Sequence, residues 1–139
     1  MQSDIKIPRV SKKALWAGRI MSVLPALLLL VDGAMKLFKP AVVVQATLQL
    51  GYRESVILPL GIVLLTCTVL YLIPRTSVLG AILLTGYLGG AVATHVRVAE
   101  SLFSIVFPII FGVLIWGGLY LREPRLRALI PLQEKHYGK

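Results

Sequence analysis

The chain has 139 residues, 57% of them hydrophobic, and its mean hydropathy is +0.82. Soluble domains contain roughly 45–50% apolar residues, so this composition excludes an ordinary soluble enzyme. The net charge is +9, but the basic residues lie beside apolar runs, which argues against a nucleic-acid partner. The composition therefore predicts a lipid bilayer as the environment.

Four long apolar runs, at residues 15–35, 55–73, 77–94 and 103–121, cover most of the chain. At about 1.5 Å of rise per residue, a helix of each length crosses a hydrocarbon core of roughly 30 Å. Little remains outside them, which predicts an all-α, four-helix transmembrane bundle at residues 14–121. A signal peptide is the alternative for the first run, but the run is too long and no A-x-A cleavage motif follows it.

Three shorter segments lie outside the four predicted spans. Residues 1–13 are polar, and we interpret them as a cytoplasmic N-terminus. Residues 40–50 are too short to span and end at Gly51, so they predict a short helix at the membrane interface. Residues 122–139 form a basic cytoplasmic tail, which either lies on the lipid headgroups or is simply solvated.

The basic residues are unevenly distributed between the two predicted faces of the membrane. Eleven fall on one side, and only Lys36, Lys39, Arg53 and Arg97 fall on the other. The positive-inside rule then places both termini in the cytoplasm. We therefore expect a multi-pass membrane protein. The eleven are Lys6, Arg9, Lys12, Lys13, Arg19, Arg75, Arg122, Arg125, Arg127, Lys135 and Lys139.

Small residues recur within the spans and predict how the helices pack. They predict a compact bundle in which backbones approach each other closely. In the third span they include Gly86 and Gly90, which we expect to lie at a helix contact. Small residues of the other spans are Gly18, Ser22, Ala26, Gly33, Gly112, Gly117 and Gly118.

Polar residues converge at the outer ends of the first and third spans. Asp32 is the only acidic residue inside a span, and Lys36 lies one turn further on the same face. In the third span, Tyr87, Thr94 and His95 share one face. Arg97 follows at the outer end, with Glu100 in the loop beyond it. Ionisable groups inside a membrane are costly and invite a functional hypothesis.

Two interpretations of this cluster stay open. In the first, Asp32, Lys36, Tyr87, Thr94, His95 and Arg97 bind the polar head of a lipid-soluble molecule. In the second, they are an ion-paired bundle end, with Lys36 and Arg97 extending to the headgroups.

The sequence contains no other recognisable catalytic or cofactor motif. The spacing of its His, Cys and acidic residues does not match a metal site, so we expect no metal. It lacks a phosphate-binding glycine loop, and its single cysteine, Cys67, excludes an intramolecular disulfide. A catalytic residue is not identifiable, and whether the chain is an enzyme stays open.

Several motifs resemble those of the DoxX-like family of small four-helix bacterial membrane proteins. They are residues 32–40 (DGAMKLFKP), 50–52 (LGY), 72–76 (LIPRT), 85–97 (TGYLGGAVATHVR) and 120–127 (YLREPRLR). The resemblance covers about residues 14–132. It implies a protein of the bacterial inner membrane. Some relatives are linked to thiosulfate–quinone oxidoreduction or to membrane complexes that handle oxidative stress, and those relatives act with partner subunits.

Three functions are consistent with these observations. The first is binding of a hydrophobic small molecule, with quinone as the candidate cofactor, in a redox-linked membrane complex. The second is a ligand-free scaffold or assembly subunit. The third is a small permease, which would require a homo-oligomer because alternating access usually relies on repeats or broken helices.

The predicted topology is tested by thiol labelling in intact cells. Ser3→Cys and Tyr137→Cys, each in a Cys67→Ala background, should resist an impermeant thiol reagent because both termini are expected in the cytoplasm. Labelling after permeabilisation is the positive control. Labelling of either cysteine in intact cells would overturn the predicted orientation.

Overall fold

A computed structural model describes residues 9–130 of the protein, which form helices joined by short connections. A 3-10 turn, Glu54–Val56, precedes the third helix. Within residues 9–130, four helices are long and apolar enough to cross a membrane: α1, α3 with its leading turn, α4 and α5. This confirms the predicted all-α bundle. The helices are α1 (Lys12–Phe38), α2 (Ala41–Gln49), α3 (Ile57–Leu72), α4 (Ser77–Arg97), α5 (Leu102–Arg122) and α6 (Pro124–Leu129).

The four long helices form a ring in which α1 and α4 lie across the diagonal. Helix α1 packs against α3 and α5, and α4 packs against the same two helices. Helix α2 occupies the segment predicted to form a short helix, between the ends of α1 and α3. Its position at a membrane interface stays a prediction.

One end of the bundle, which we call the tight end, contains the amino-terminal half of α1 and the carboxyl-terminal half of α5. A Cβ at Gly18 would lie 2.8 Å from the carbonyl oxygen of Gly118. A Cβ at Gly118 would lie 2.5 Å from the hydroxyl oxygen of Ser22. The two backbones are therefore in direct contact, as the small residues of these spans predicted.

Tyr71 joins three helices at this tight end. Its side chain is fully buried, and its hydroxyl lies 2.8 Å from the carbonyl oxygen of Ile115 and 2.9 Å from the hydroxyl of Ser22. The guanidinium of Arg122 lies over the ring, 5.3 Å from its centroid. Tyr71 thus connects α3 to both α1 and α5.

Helices α3 and α4 form an antiparallel hairpin whose contact depends on Gly80. A Cβ at Gly80 would overlap the backbone of Tyr71. In the turn, the hydroxyl of Thr76 donates to the carbonyl of Leu70 at 2.7 Å. The short connection therefore fixes the start of α4 directly against the end of α3.

The prediction that Gly86 and Gly90 lie at a helix contact is wrong. A Cβ at either position would have no neighbouring atom within 4 Å. Gly112 is equally open. The reason is that α4 makes its close approach at Gly80 and then borders a cavity, so Gly86 and Gly90 leave space instead of filling a contact.

The segments flanking the bundle extend its helices. Helix α1 begins at Lys12, two residues before the predicted boundary. Helix α6 packs onto the bundle through the buried Leu126. Arg127 donates to the carbonyls of Tyr120 and Leu121, at 2.7 and 3.0 Å. The start of the predicted tail is therefore attached to α5, whereas residues 1–8 and 131–139 lie outside the described residues.

Two glycines of α5 provide a matched test of this packing. Gly118→Ala should lower the melting temperature in detergent, because its methyl group overlaps Ser22 and overpacking costs about 1–3 kcal/mol. For a chain of this size that corresponds to a shift of several degrees, at roughly 2–4 °C per kcal/mol. Gly112→Ala, with open space around the new methyl, should not lower it. Equal melting temperatures for the two variants would contradict the α1–α5 contact.

Candidate functional site

A half-open cavity of about 630 Å³ lies between the diagonal helices α1 and α4. This volume is within the range of small-molecule sites, about 300–1,000 Å³. Its walls are mostly apolar, and its polar groups come from α1, α2, α4 and the segment after α2. The apolar lining includes Leu28, Leu29, Leu60, Leu88, Phe107, Pro108 and Phe111.

Helix α1 contributes an ion pair to the cavity wall. The ammonium of Lys36 lies 2.5 Å from a carboxylate oxygen of Asp32, one helical turn away. The Lys36 side chain is only 16% exposed, whereas that of Asp32 is 49% exposed. The stem of Lys36 packs at Gly61 of α3, where a Cβ would lie 2.8 Å from the lysine Cβ. Lys36 is thus held by Asp32 and does not extend away from the bundle.

Helix α4 supplies three of the predicted side chains on one face. Tyr87, Thr94 and His95 all line the cavity, beside the space left by Gly86 and Gly90. The Tyr87 hydroxyl makes no hydrogen bond with another described residue, so it is free to bond a molecule in the cavity. The shared face predicted from the sequence spacing is therefore the face that α4 presents to the cavity.

The turn after α4 places Glu100 against His95. The amide of Glu100 donates to the carbonyl of His95, and that of Ala99 donates to Val96, both at 3.1 Å. This is the Schellman arrangement, with Ala99 in the left-handed position at a φ of 53°. The carboxylate of Glu100 then lies 3.1 Å from Nδ1 of His95. That contact orients the imidazole and leaves Nε2 as its second polar atom.

The segment formed by α2 and residues 50–52, which we call the strap, covers the end of the cavity opposite the tight end. Thr94 donates its hydroxyl hydrogen to the carbonyl of Gly90 at 2.8 Å. The hydroxyl of Tyr52 therefore donates to Thr94, also at 2.8 Å. The guanidinium of Arg97 donates to the carbonyl of Leu50 at 2.6 Å. Two hydrogen bonds thus attach the strap to α4.

The structure separates Arg97 from the other predicted site residues. Asp32, Lys36, Tyr87, Thr94 and His95 surround one cavity, whereas Arg97 is absent from its lining. Its guanidinium donates a hydrogen bond to Leu50 in the strap. The next residue, Gly51, has a φ of 83°, which allows the chain to turn close beside the guanidinium. Arg97 therefore positions the strap.

Sequence reasoning did not identify the strap residue Tyr52 or the aromatic wall of Phe107 and Phe111 as part of the site. All three line the cavity. Phe107 and Phe111 also lie ring to ring, with centroids 4.8 Å apart. Their spacing of four residues in an apolar run indicates only that they share a helix face, and nothing in the sequence distinguishes a cavity wall from a lipid-facing surface.

A shallower groove runs along the outside of the bundle between α4 and α5. It has a volume of about 370 Å³ and is lined by residues that include Gly89, Val92 and Gly112. At one end of the groove, the indole of Trp116 donates to the hydroxyl of Thr85 at 2.7 Å. The neighbouring glycines Gly89 and Gly90 therefore border different spaces, the groove and the cavity.

The arrangement suits recognition of a mostly apolar molecule that has a polar end. Tyr87 and His95 offer hydrogen bonds, Asp32 offers acceptor oxygens, and the remaining wall is hydrocarbon. Among residues 9–130, no three His, Cys, Asp or Glu side chains come close enough to share a metal ion.

The fold and this cavity define a class of protein, a multi-pass helical membrane protein with a half-open, largely apolar cavity between its helices. The model of the DoxX-like family matches residues 20–118, which is more than half of the chain. The chain therefore belongs to the DoxX-like family. It matches no curated protein and no solved structure.

Proposed function

We propose that the protein binds a hydrophobic small molecule whose polar head lies among Asp32, Lys36, Tyr87 and His95. The observation that supports this most strongly is the cavity, because its polar groups are concentrated near the strap and the rest of its wall is apolar. In lipid, unpaired polar groups are expensive, so a free tyrosine hydroxyl beside a cavity favours a partner there.

Quinone is the ligand that we propose, in a redox-linked membrane complex with partner subunits. Two features support it. The first is the DoxX-like resemblance. The second is the pair of free polar atoms: the hydroxyl of Tyr87 can donate to a quinone carbonyl oxygen, and Nε2 of His95, whose Nδ1 donates to Glu100, can accept from the hydroxyl of the reduced form. The aromatic pair Phe107 and Phe111 offers a wall against which a ring can pack. In this proposal the protein binds and orients the quinone, while the electrons come from a partner subunit.

We further propose that the protein is located in a bacterial inner membrane with both termini cytoplasmic. The distribution of Lys and Arg supports this orientation. The tight end then faces the cytoplasm, and the strap and the ion pair lie toward the outer leaflet. The ligand would enter the cavity from the bilayer.

A ligand-free scaffold is the second candidate, and the Asp32–Lys36 pair favours it. Lys36 is mostly buried and packs against α3 at Gly61, so the pair contributes to helix packing whether or not a ligand is present. The third candidate, a permease, would require an oligomer, and no described contact favours it.

Two conservative substitutions in the cavity distinguish binding from scaffolding. Tyr87→Phe and His95→Gln keep the shape of each side chain and leave the Asp32–Lys36 pair intact, so the melting temperature should change little. Each removes or weakens a hydrogen bond to the ligand head, so occupancy should fall by roughly tenfold for every ~1.4 kcal/mol lost.

The measurement pairs native mass spectrometry of the protein extracted with its lipids with a thermal melt. Tyr120→Phe, at the tight end, is the matched control and should change neither value. A parent protein that carries no small molecule, together with unchanged binding of an added short-tail quinone in both variants, would reject the binding proposal and favour the scaffold.

A further inference from the structure

We infer that the cavity selects molecules with an uncharged head and rejects amphiphiles with an anionic head. This inference rests on the proposed function, because it specifies the chemical class of ligand for the same cavity. It comes from the pairing of charged groups around the cavity wall. A charged ligand needs a counter-charge that is not already engaged, since transferring an unpaired ion into an apolar site is expensive.

In the part of the chain that the structure describes, the one lysine or arginine in the cavity wall is Lys36, and it is already paired. The ammonium of Lys36 lies 2.5 Å from the carboxylate of Asp32, and its side chain is 16% exposed. A carboxylate or phosphate head would have to compete with Asp32 for this ammonium. It would also approach the carboxylate of Asp32, which is the more exposed member of the pair, and like charges repel.

The other ionisable groups near the cavity give an anion no better partner. Nδ1 of His95 lies 3.1 Å from the carboxylate of Glu100. The negative charge of this carboxylate offsets any positive charge on the imidazole, so the pair offers an anion no net positive charge. Arg97 bonds the carbonyl of Leu50 and does not line the cavity. An uncharged carbonyl or hydroxyl head, by contrast, can bond Tyr87 or His95 and leave every pair intact.

The test compares two probes that share a tail but differ in head charge, dodecanol and dodecanoate. Binding to the full-length protein in nanodiscs is measured near pH 9, well above the ordinary pKa of a carboxylic acid, by native mass spectrometry and by the shift in melting temperature. The wild-type protein should bind dodecanol at least about tenfold more tightly than dodecanoate.

Breaking the ion pair should reverse this preference. Asp32→Asn leaves Lys36 without its counter-charge, so dodecanoate should now bind and raise the melting temperature of the variant. Lys36→Met leaves Asp32 alone and should create binding of dodecylammonium in the same way. The double variant Asp32→Asn/Lys36→Met carries neither charge, so it should gain binding of neither dodecanoate nor dodecylammonium. The two single variants test the ion pair independently. If one of them does not fold, the other still tests the role of the pair.

The outcomes separate this inference from the proposed function. Equal binding of dodecanol and dodecanoate by the wild type would overturn the selectivity and leave the binding site standing. If the wild type prefers dodecanol but neither single variant gains binding of a charged probe, the proposed role of the ion pair is wrong. Failure of the wild type to bind either probe would overturn the proposed function itself.

Discussion

The arrangement of the bundle depends on the hydrogen bonding of the Tyr71 hydroxyl. It lies within hydrogen-bonding distance of Ile115 on α5 and Ser22 on α1, while its own helix is α3. Lipid chains are as apolar as leucine, so helices in a membrane gain little from excluding them, and close packing with hydrogen bonds must supply the association. Tyr71 supplies the hydrogen bonds, and Gly18 and Gly118 supply the close approach.

Because the helices are fixed to one another at the tight end, and α1 also packs closely against α3 at Gly61, the diagonal helices α1 and α4 can diverge toward the other end without loss of the fold. The separation leaves the cavity, beside which Gly86 and Gly90 add no side-chain volume. The strap then covers the opening through the bonds of Tyr52 and Arg97 to neighbouring elements. Close backbone packing at the tight end and at Gly61 therefore holds the bundle together, and the hydrogen bonds of the strap cover the cavity.

Hydropathy and residue spacing predicted the four spans, and the shared helix faces of Asp32 with Lys36 and of Tyr87 with His95. These features depend on one helix at a time, so periodicity is sufficient to find them. Three other features depend on how the helices cross and where they diverge. They are the separate position of Arg97, the open space at Gly90 and the cavity wall formed by Phe107. The same small-residue pattern fits a contact at Gly18 and a cavity at Gly90, so the sequence alone does not distinguish them.

The central claim is that the space beside Gly90 is a ligand-binding volume. The most direct measurement is binding of a neutral long-chain probe to Gly90→Leu and to Gly89→Leu, with a thermal melt of each variant. The account predicts that Gly90→Leu remains folded but loses binding, because its side chain fills the cavity. Gly89→Leu projects into the outer groove and should bind as the parent does. Undiminished binding by Gly90→Leu, or an equal loss in both variants, would contradict the account.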